Sequence, residues 1–438
     1  MPHGFHRLRS GDHRARREAD HSQLSAIEST RSARRLVNPP STPLVALALC
    51  MPLGGSSTFL VNLARAFHHR GLLLPVVVLS EVNDFAADFA GFGGSVKMIS
   101  RRRHIYEDRL RLAYAEVARW RPRAVLASLG PDSFEVLRVA PPGCARIGMI
   151  QSHEPSVYSS VVYGPWLDAM VGVSAEICSH LSTLPEFSRC RIERIPYGIP
   201  FPEATARSAP NPDQPLRVIY VGRIVEEQKR VSRLVELVRF LEQRGENFRF
   251  TFVGSGPQLP GMQSALAASR LVEFAGAVPH HDVQRLLAAH DVFILLSDYE
   301  GLPLSLLEAM GQGVVPVASD LASGIREVVT DDCGIRVPVG DVRGAAEALV
   351  ALSRDRQRLA AMGAAASALA RRNFGADRMA AQFLELVDAL APGKVEWPAD
   401  VRIPTPFGMR PRWMFSGLPR RLRRLVKRAG HTFLPVKS

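Results

Sequence analysis

Ser297-Asp298-Tyr299-Glu300-Gly301-Leu302-Pro303-Leu304-Ser305-Leu306-Leu307-Glu308-Ala309-Met310 follows directly on the apolar run Val292-Phe293-Ile294-Leu295-Leu296. An unbroken apolar run bounded by a polar turn reads as a strand buried on both faces, as in a parallel sheet. The turn leads into a helix from Leu304 to Met310, with Pro303 near its first turn, where a missing N–H costs nothing. Strand, loop and helix form the unit of doubly wound sheets, which bind ligands in the crevice beyond their strand ends. Free N–H groups at the helix start, together with its dipole, favour an anion there. Gly301 permits close approach to the backbone. Glu300 and Glu308 cannot attract a phosphate, but they can accept hydrogen bonds from the hydroxyls of a sugar or ribose. As an isolated pair they would read as a helix-cap acid and a solvated face residue. The strand before them, the Gly-Leu-Pro between and two cations upstream change that reading.

Working outward, the same unit recurs. Arg217-Val218-Ile219-Tyr220-Val221 leads to Gly222-Arg223, with Lys229 six residues on and a helix expected over about 230–243. Arg223 and Lys229 on one loop suit a diphosphate, through charge-assisted hydrogen bonds to its oxygens. Phe248 to Val253 leads to Gly254-Ser255-Gly256, which reads equally as a tight turn or as a nucleotide contact. Val272 to Gly276 and Val314 to Ala318 are further short strands, and helices over 341–371 close this half. Before Ile195-Pro196-Tyr197-Gly198-Ile199-Pro200 and the Pro/Ala/Asn stretch after it, the pattern already appears once. Its strands are Leu44–Leu49, Pro75–Leu79, Ala124–Ser128, Arg146–Ile150 and Ala169–Val173. The first ends in Gly54-Gly55-Ser56-Ser57, small residues that let backbone amides approach a phosphate, or simply turn the chain. Alternating strands and helices of this kind argue two doubly wound α/β domains, as the length of 438 residues also suggests.

Composition narrows the class. The net charge of +13 lies in the two tails: residues 1–40 hold eight Lys or Arg against four acids, and residues 401–438 hold ten against none. Removing both from the totals of 55 and 42 leaves 37 bases against 38 acids, so the body is not built to bind nucleic acid. Five scattered cysteines without a CxxC give neither a disulfide framework nor a zinc site and suit a reducing cytosol. The sequence contains no apolar run long enough for a membrane-spanning helix, and the Arg- and His-rich start has no apolar signal core.

These motifs resemble those of the family-4 retaining glycosyltransferases of GT-B fold. The resemblance rests on Glu300-x7-Glu308 running into Glu308-Ala309-Met310, Val221-Gly222-Arg223 with Lys229, and Val253-Gly254-Ser255-Gly256-Pro257. Gly324-Ile325-Arg326-Glu327 and Gly334-Ile335-Arg336-Val337-Pro338 add to it. The first half matches more loosely, through Gly54-Gly55, His153-Glu154 and Val173-Ser174-Ala175-Glu176. The resemblance implies that Arg223 and Lys229 hold the donor diphosphate and stabilise the departing nucleotide. It implies that Glu300 touches the donor sugar, Glu308 the ribose, and the amides around Gly301, Leu302 and Pro303 the sugar or phosphates. Gly54 and Gly55 would close over the diphosphate with Gly222 at its side, and His153 would lie near the reaction centre. It further implies retention of anomeric configuration and chemistry without metal or other cofactor, with a UDP-sugar favoured over a GDP-sugar. Arg230 stands where the family usually has Gly, Tyr197-Gly198 where Asn-Gly is common, and Asp320 to Gly324 lacks a common Gly-Gly pair.

The expected organisation is a disordered basic extension (1–40), an acceptor-side domain (41–198), a nucleotide-sugar domain (199–373), a helix crossing back (374–392) and a basic tail (393–438). In the tail Leu418, Leu422, Leu425 and Val426 fall on one side of a helix with arginines elsewhere, and Trp413 and Phe415 precede it. Such a segment suits an anionic membrane surface. The expected partners are a nucleotide-sugar and a glycan or lipid-linked acceptor. The expected location is the cytoplasm, with the inner face of the cytoplasmic membrane as the alternative if the tail binds there.

Overall fold

The computed structural model describes residues 42–398 except Leu53, Ile105, 153–156, 202–213 and Pro392. Residues 1–40, His153 and the tail beyond Pro398 therefore lie outside the described residues.

The first sheet is parallel throughout. Its strands are β1 (Leu44–Ala48), β2 (Val76–Val78), β3 (Val96–Met98), β4 (Ala124–Leu129), β5 (Ala145–Ile150), β6 (Ala169–Gly172) and β7 (Arg191–Arg194), in the order β3-β2-β1-β4-β5-β6-β7. The second, also parallel, comprises β8 (Leu216–Val221), β9 (Phe248–Val253), β10 (Val272–Gly276), β11 (Val292–Leu295), β12 (Val315–Ser319) and β13 (Ile335–Val337), in the order β10-β9-β8-β11-β12-β13. The central strands β1, β2, β11 and β12 are buried at every position, which is why they are unbroken apolar runs. The edge strands β3 and β7 are largely exposed, and β3 and β13 are only three residues long. Short, polar edges discourage pairing with other chains and carry no apolar signal, so none of the three was expected as a strand.

Strand order reverses once in each sheet, between β1 and β4 and between β8 and β11. From the first switch point run α1 (Gly55–His69), after β1, and α4 (Pro131–Leu137), after β4. Between them come α2 (Ala86–Gly91) and α3 (Tyr106–Trp120), and α5 (Ala175–Ser182) follows β6. From the second switch point run α6 (Val231–Gln243), after β8, and α9 (Leu304–Gly311), after β11, with α7 (Leu259–Ala265) and α8 (His280–Ala288) between. The last helices are α10 (Gly324–Val328), α11 (Val342–Arg354), α12 (Arg356–Asn373) and α13 (Ala376–Leu390).

Two strands of chain join the halves, and they are bonded to each other. Ile199 N–H donates to Phe374 O at 2.8 Å and Ala376 N–H to Ile199 O at 3.0 Å. A side chain at Gly198 would meet Ala376 Cα at 2.6 Å, so this crossing requires glycine. Beyond it α13 packs on α1, with Phe383 and Tyr197 both against the ring of Phe59, at centroid distances of 6.0 and 5.5 Å. The chain stays on the first half through Trp397, whose indole N–H donates to Pro122 O at 3.0 Å. Among the described residues no helix is long and apolar enough to cross a membrane.

Candidate active site

Both switch points open into one cavity of 520 Å³, within the range of small-molecule sites. The first half contributes Gly54, Gly55 and the start of α1, Gly130, Gln151 and Ser152. Tyr197 comes from the crossing, and the second half contributes Gly222, Arg223, Gln228, Lys229, Glu300 to Ser305 and Glu308. A larger groove of 770 Å³ between α6 and α7 shares no lining residue with this cavity and lies away from the strand ends that carry its charges.

The structure brings together every candidate from the sequence except His153, which lies outside the described residues. The helices α1 and α9 enter with open N-termini: neither has a side-chain cap or an acid in its first turn. The amides there and the helix dipoles are thus available to an anion. A methyl group on Gly55 would stand 3.4 Å from Leu304 Cδ1, so the two helix starts approach closely across the cleft. Closer still, a side chain on Gly301 would meet the Gln151 carbonyl oxygen at 2.2 Å. Glycine is needed at 301 to seat the second half's loop on the end of β5.

The charged groups are held by each other. Lys229 Nζ lies 2.6 Å from Glu300 Oε1, with the two side chains only 11 % and 6 % exposed. An ammonium has three donors, so this pair leaves two for a ligand. Gln228 Nε2 donates to Tyr299 O at 3.2 Å and to Glu300 Oε2 at 3.4 Å, while its Oε1 accepts from Arg223 at 2.7 Å. Tyr220 O–H donates to Arg223 O at 2.7 Å; burial pushes this phenol far above its usual range, with the charge of Glu300 adding, so it stays a donor. Glu308 is buried one turn into α9, on the same side of the cavity.

Behind the site, the loops after β8 and β11 are joined. Asp298 N–H donates to Gln228 O at 2.9 Å, and the Asp298 carboxylate pairs with Arg230 and, at 2.6 Å, with Arg233. Arg230 has φ 47°, in the left-handed region. That explains why glycine would serve at this position, and the Asp298 pair opposes the strain of having arginine there. Gly254 and Gly256, at φ 139° and 159°, nest against Gly222 O and Ile224 O and do not line the cavity, so the tight-turn reading of that motif stands.

Sequence reasoning missed Gln228, Tyr197, Gln151 and the Asp298–Arg230 pair. Only adjacency to Lys229 pointed to Gln228. Tyr197 and Arg230 stood out only as departures from the family pattern, and nothing pointed to Gln151 or to Asp298 as the partner of Arg230, since these contacts join segments distant in the chain. Among the described residues, no group of three His, Cys, Asp or Glu side chains is placed to hold a metal ion.

Two Rossmann-like domains whose switch points face one cleft define the GT-B fold. TarM of S. aureus, solved with fondaparinux, α-GlcNAc-glycerol and UDP, superposes with a TM-score of 0.66 at 13 % identity, over 80 % of this chain and 100 % of that one. Anabaena Alr3699/HepE, solved with UDP and glucose, gives 0.66 at 16 %, over the same shares. Residues 215–355, which hold Arg223, Lys229, Glu300 and Glu308, match the family described as glycosyl transferases group 1. The chain is also similar to bacterial proteins named as biosynthetic glycosyltransferases. WcaL of Escherichia coli (strain K12), named for colanic acid biosynthesis as a glycosyltransferase, is 36 % identical over 167 residues, 36 % of this chain and 41 % of WcaL. The amylovoran biosynthesis glycosyltransferase AmsK of Erwinia amylovora is 32 % identical over 188 residues, 41 % of this chain and 46 % of AmsK. The chain thus spans less than half the length of these relatives.

Proposed function

We propose that this chain is a glycosyltransferase that moves a sugar from a nucleotide-diphosphate donor to a glycan, lipid-linked or polysaccharide acceptor with retention of configuration. The observation that carries the reading is the convergence of Arg223, Lys229, Glu300 and Glu308 with two open helix starts on one cavity. WcaL and AmsK are named for colanic acid and amylovoran biosynthesis, which favours a glycan acceptor, and the UDP in the solved neighbours favours a UDP-sugar.

In this reading the bond between the sugar's anomeric carbon and the diphosphate oxygen breaks, leaving its electron pair on the diphosphate. Arg223, Lys229 and the amides of α1 and α9 stabilise that charge, and this electrostatic contribution is the largest expected from the site. The acceptor hydroxyl attacks from the face the diphosphate leaves, and its proton passes to the departing phosphate oxygen. Atoms and charge balance without a protein nucleophile. Glu300, fixed by Lys229 and Gln228, accepts from the sugar's hydroxyls, and Glu308 accepts from the ribose. Chemistry without metal, and attachment to the inner membrane face through the basic tail, belong to the same proposal.

A panel of UDP-, GDP- and ADP-sugars tests it, read by binding and by slow hydrolysis, with Glu300→Gln and Lys229→Ala alongside. One donor bound and hydrolysed selectively, and lost in both variants, supports the transferase site. No binding by wild type, with variants indistinguishable from it, overturns the proposal. Liposome sedimentation with and without residues 401–438 tests the tail; equal sedimentation removes the membrane from the reading.

A further inference from the structure

The first half carries a concentrated positive charge in the loop after β3. Arg101, Arg102, Arg103 and His104 follow one another there, with Lys97 in the strand before and no acid between them. The three arginines are exposed, and among the described residues none has a carboxylate within ion-pair distance. The loop is nevertheless shaped. Glu81, after β2, accepts from Ser100 Oγ at 2.5 Å and from Arg102 N–H at 2.7 Å, and Ser100 Oγ accepts from Arg103 N–H at 3.1 Å. Among the described residues Glu81 is the one acid bonded to this loop, so the three exposed arginines outnumber the charge that offsets them.

The loop is also tied to the cleft. The segment holding Glu81 is joined to the one after β1: Met51 N–H donates to Val82 O at 2.8 Å and Asp84 N–H to Met51 O at 2.9 Å. Met51 lies between Cys50 and Pro52, both of which line the cavity. Burial pushes the Cys50 thiol up, and the charge of Arg101 opposes that shift. Arg223 and Lys229, in contrast, stand on the second half, with the donor-side carboxylates.

We propose that Arg101, Arg102 and Arg103 form an acceptor subsite for an anionic group, so that the acceptor carries a phosphate or carboxylate near its reacting hydroxyl. The inference rests on the transferase reading for the word acceptor, but its test reads binding first. Octyl diphosphate, octyl glucuronide and octyl glucoside are titrated into the full chain and into the triple variant Arg101→Gln, Arg102→Gln, Arg103→Gln. UDP is present throughout to fill the donor site. Wild type should prefer at least one anionic probe over the glucoside by about tenfold or more, and the triple variant should lose that preference. UDP affinity should be the same in both. Preference for the diphosphate alone assigns a lipid-linked acceptor, and preference for the glucuronide alone an acidic glycan; either supports the subsite. Equal binding of all three probes by wild type overturns it. So does a preference that persists in the triple variant but disappears in Arg223→Ala, since the anion would then occupy the donor site. Failure of the sugar-nucleotide panel would instead count against the transferase reading, whatever these titrations give.

Discussion

Replacing Gly301 with alanine should separate the two halves of the active site without unfolding either. The added methyl would sit 2.2 Å from the Gln151 carbonyl oxygen, 3.0 Å from its carbonyl carbon and 3.1 Å from Ser152 Cα. All three are backbone at the end of β5, so no side chain can swing aside. The loop is also held from behind, where Gly324 N–H donates to Gly301 O at 2.8 Å. Gly301 is not among the glycines at positive φ, so alanine meets no local strain and the clash falls on the contact between the domains. Restoring ordinary contact needs a displacement of about 1 Å, and misplacement on that scale costs about 10²-fold in rate, or about 2.7 kcal/mol of barrier. The expected result is therefore kcat down by about two orders of magnitude with nucleotide affinity within a few-fold of wild type. Initial rates with the donor found in the panel, together with calorimetric titration of UDP, would measure both. A variant with wild-type kcat would refute the reasoning, because the halves would then not need to meet at this point during turnover.

Three further outcomes follow from the geometry. Arg109 and Asp132 form a buried pair at 3.0 Å in the first half, 3 % and 7 % exposed, so Arg109→Ala should cost about 3–5 kcal/mol in urea unfolding. Arg109→Met combined with Asp132→Leu should recover most of that loss. At position 230, whose φ is 47°, Arg230→Gly should melt higher than Arg230→Ala, since both lose the Asp298 pair and only alanine keeps the left-handed strain; equal melting would contradict the backbone assignment. Burial alone would raise the Asp298 carboxyl, but hydrogen bonds from Arg230 and Arg233 outweigh it and hold its pKa below the ordinary 3.8. A depressed folded pKa gives stability that is present above the unfolded value and lost as pH falls through the folded one. The stability gap between wild type and Asp298→Asn should accordingly stay level down to about pH 5 and close only below about pH 4. Closure already near neutrality would show that another group is titrating.

The parts of this protein legible in the amino-acid order are those whose physical cause is local. Strands β1 and β11 announce themselves because a strand covered on both faces must be apolar at each position, and Pro303 and Gly301 mark a helix start and a close approach through their own backbones. The spacing of Arg223 to Lys229 is likewise contained in one loop, and that of Glu300 to Glu308 in one loop and the helix it starts. Edge strands β3 and β7 were illegible because exposure removes the requirement for apolar residues, leaving only pairing with a neighbour to define them. Tertiary structure alone decided that Gln228 reaches across to Tyr299 and Glu300, that Arg230 adopts a left-handed turn opposite Asp298, and that Gly301 touches Gln151. It also decided that the loop after β3 is bonded through Glu81 to the segment that pairs with Met51, next to the cavity. Each of these depends on two segments far apart in the chain meeting at a strand end, and no local preference of either segment encodes that meeting.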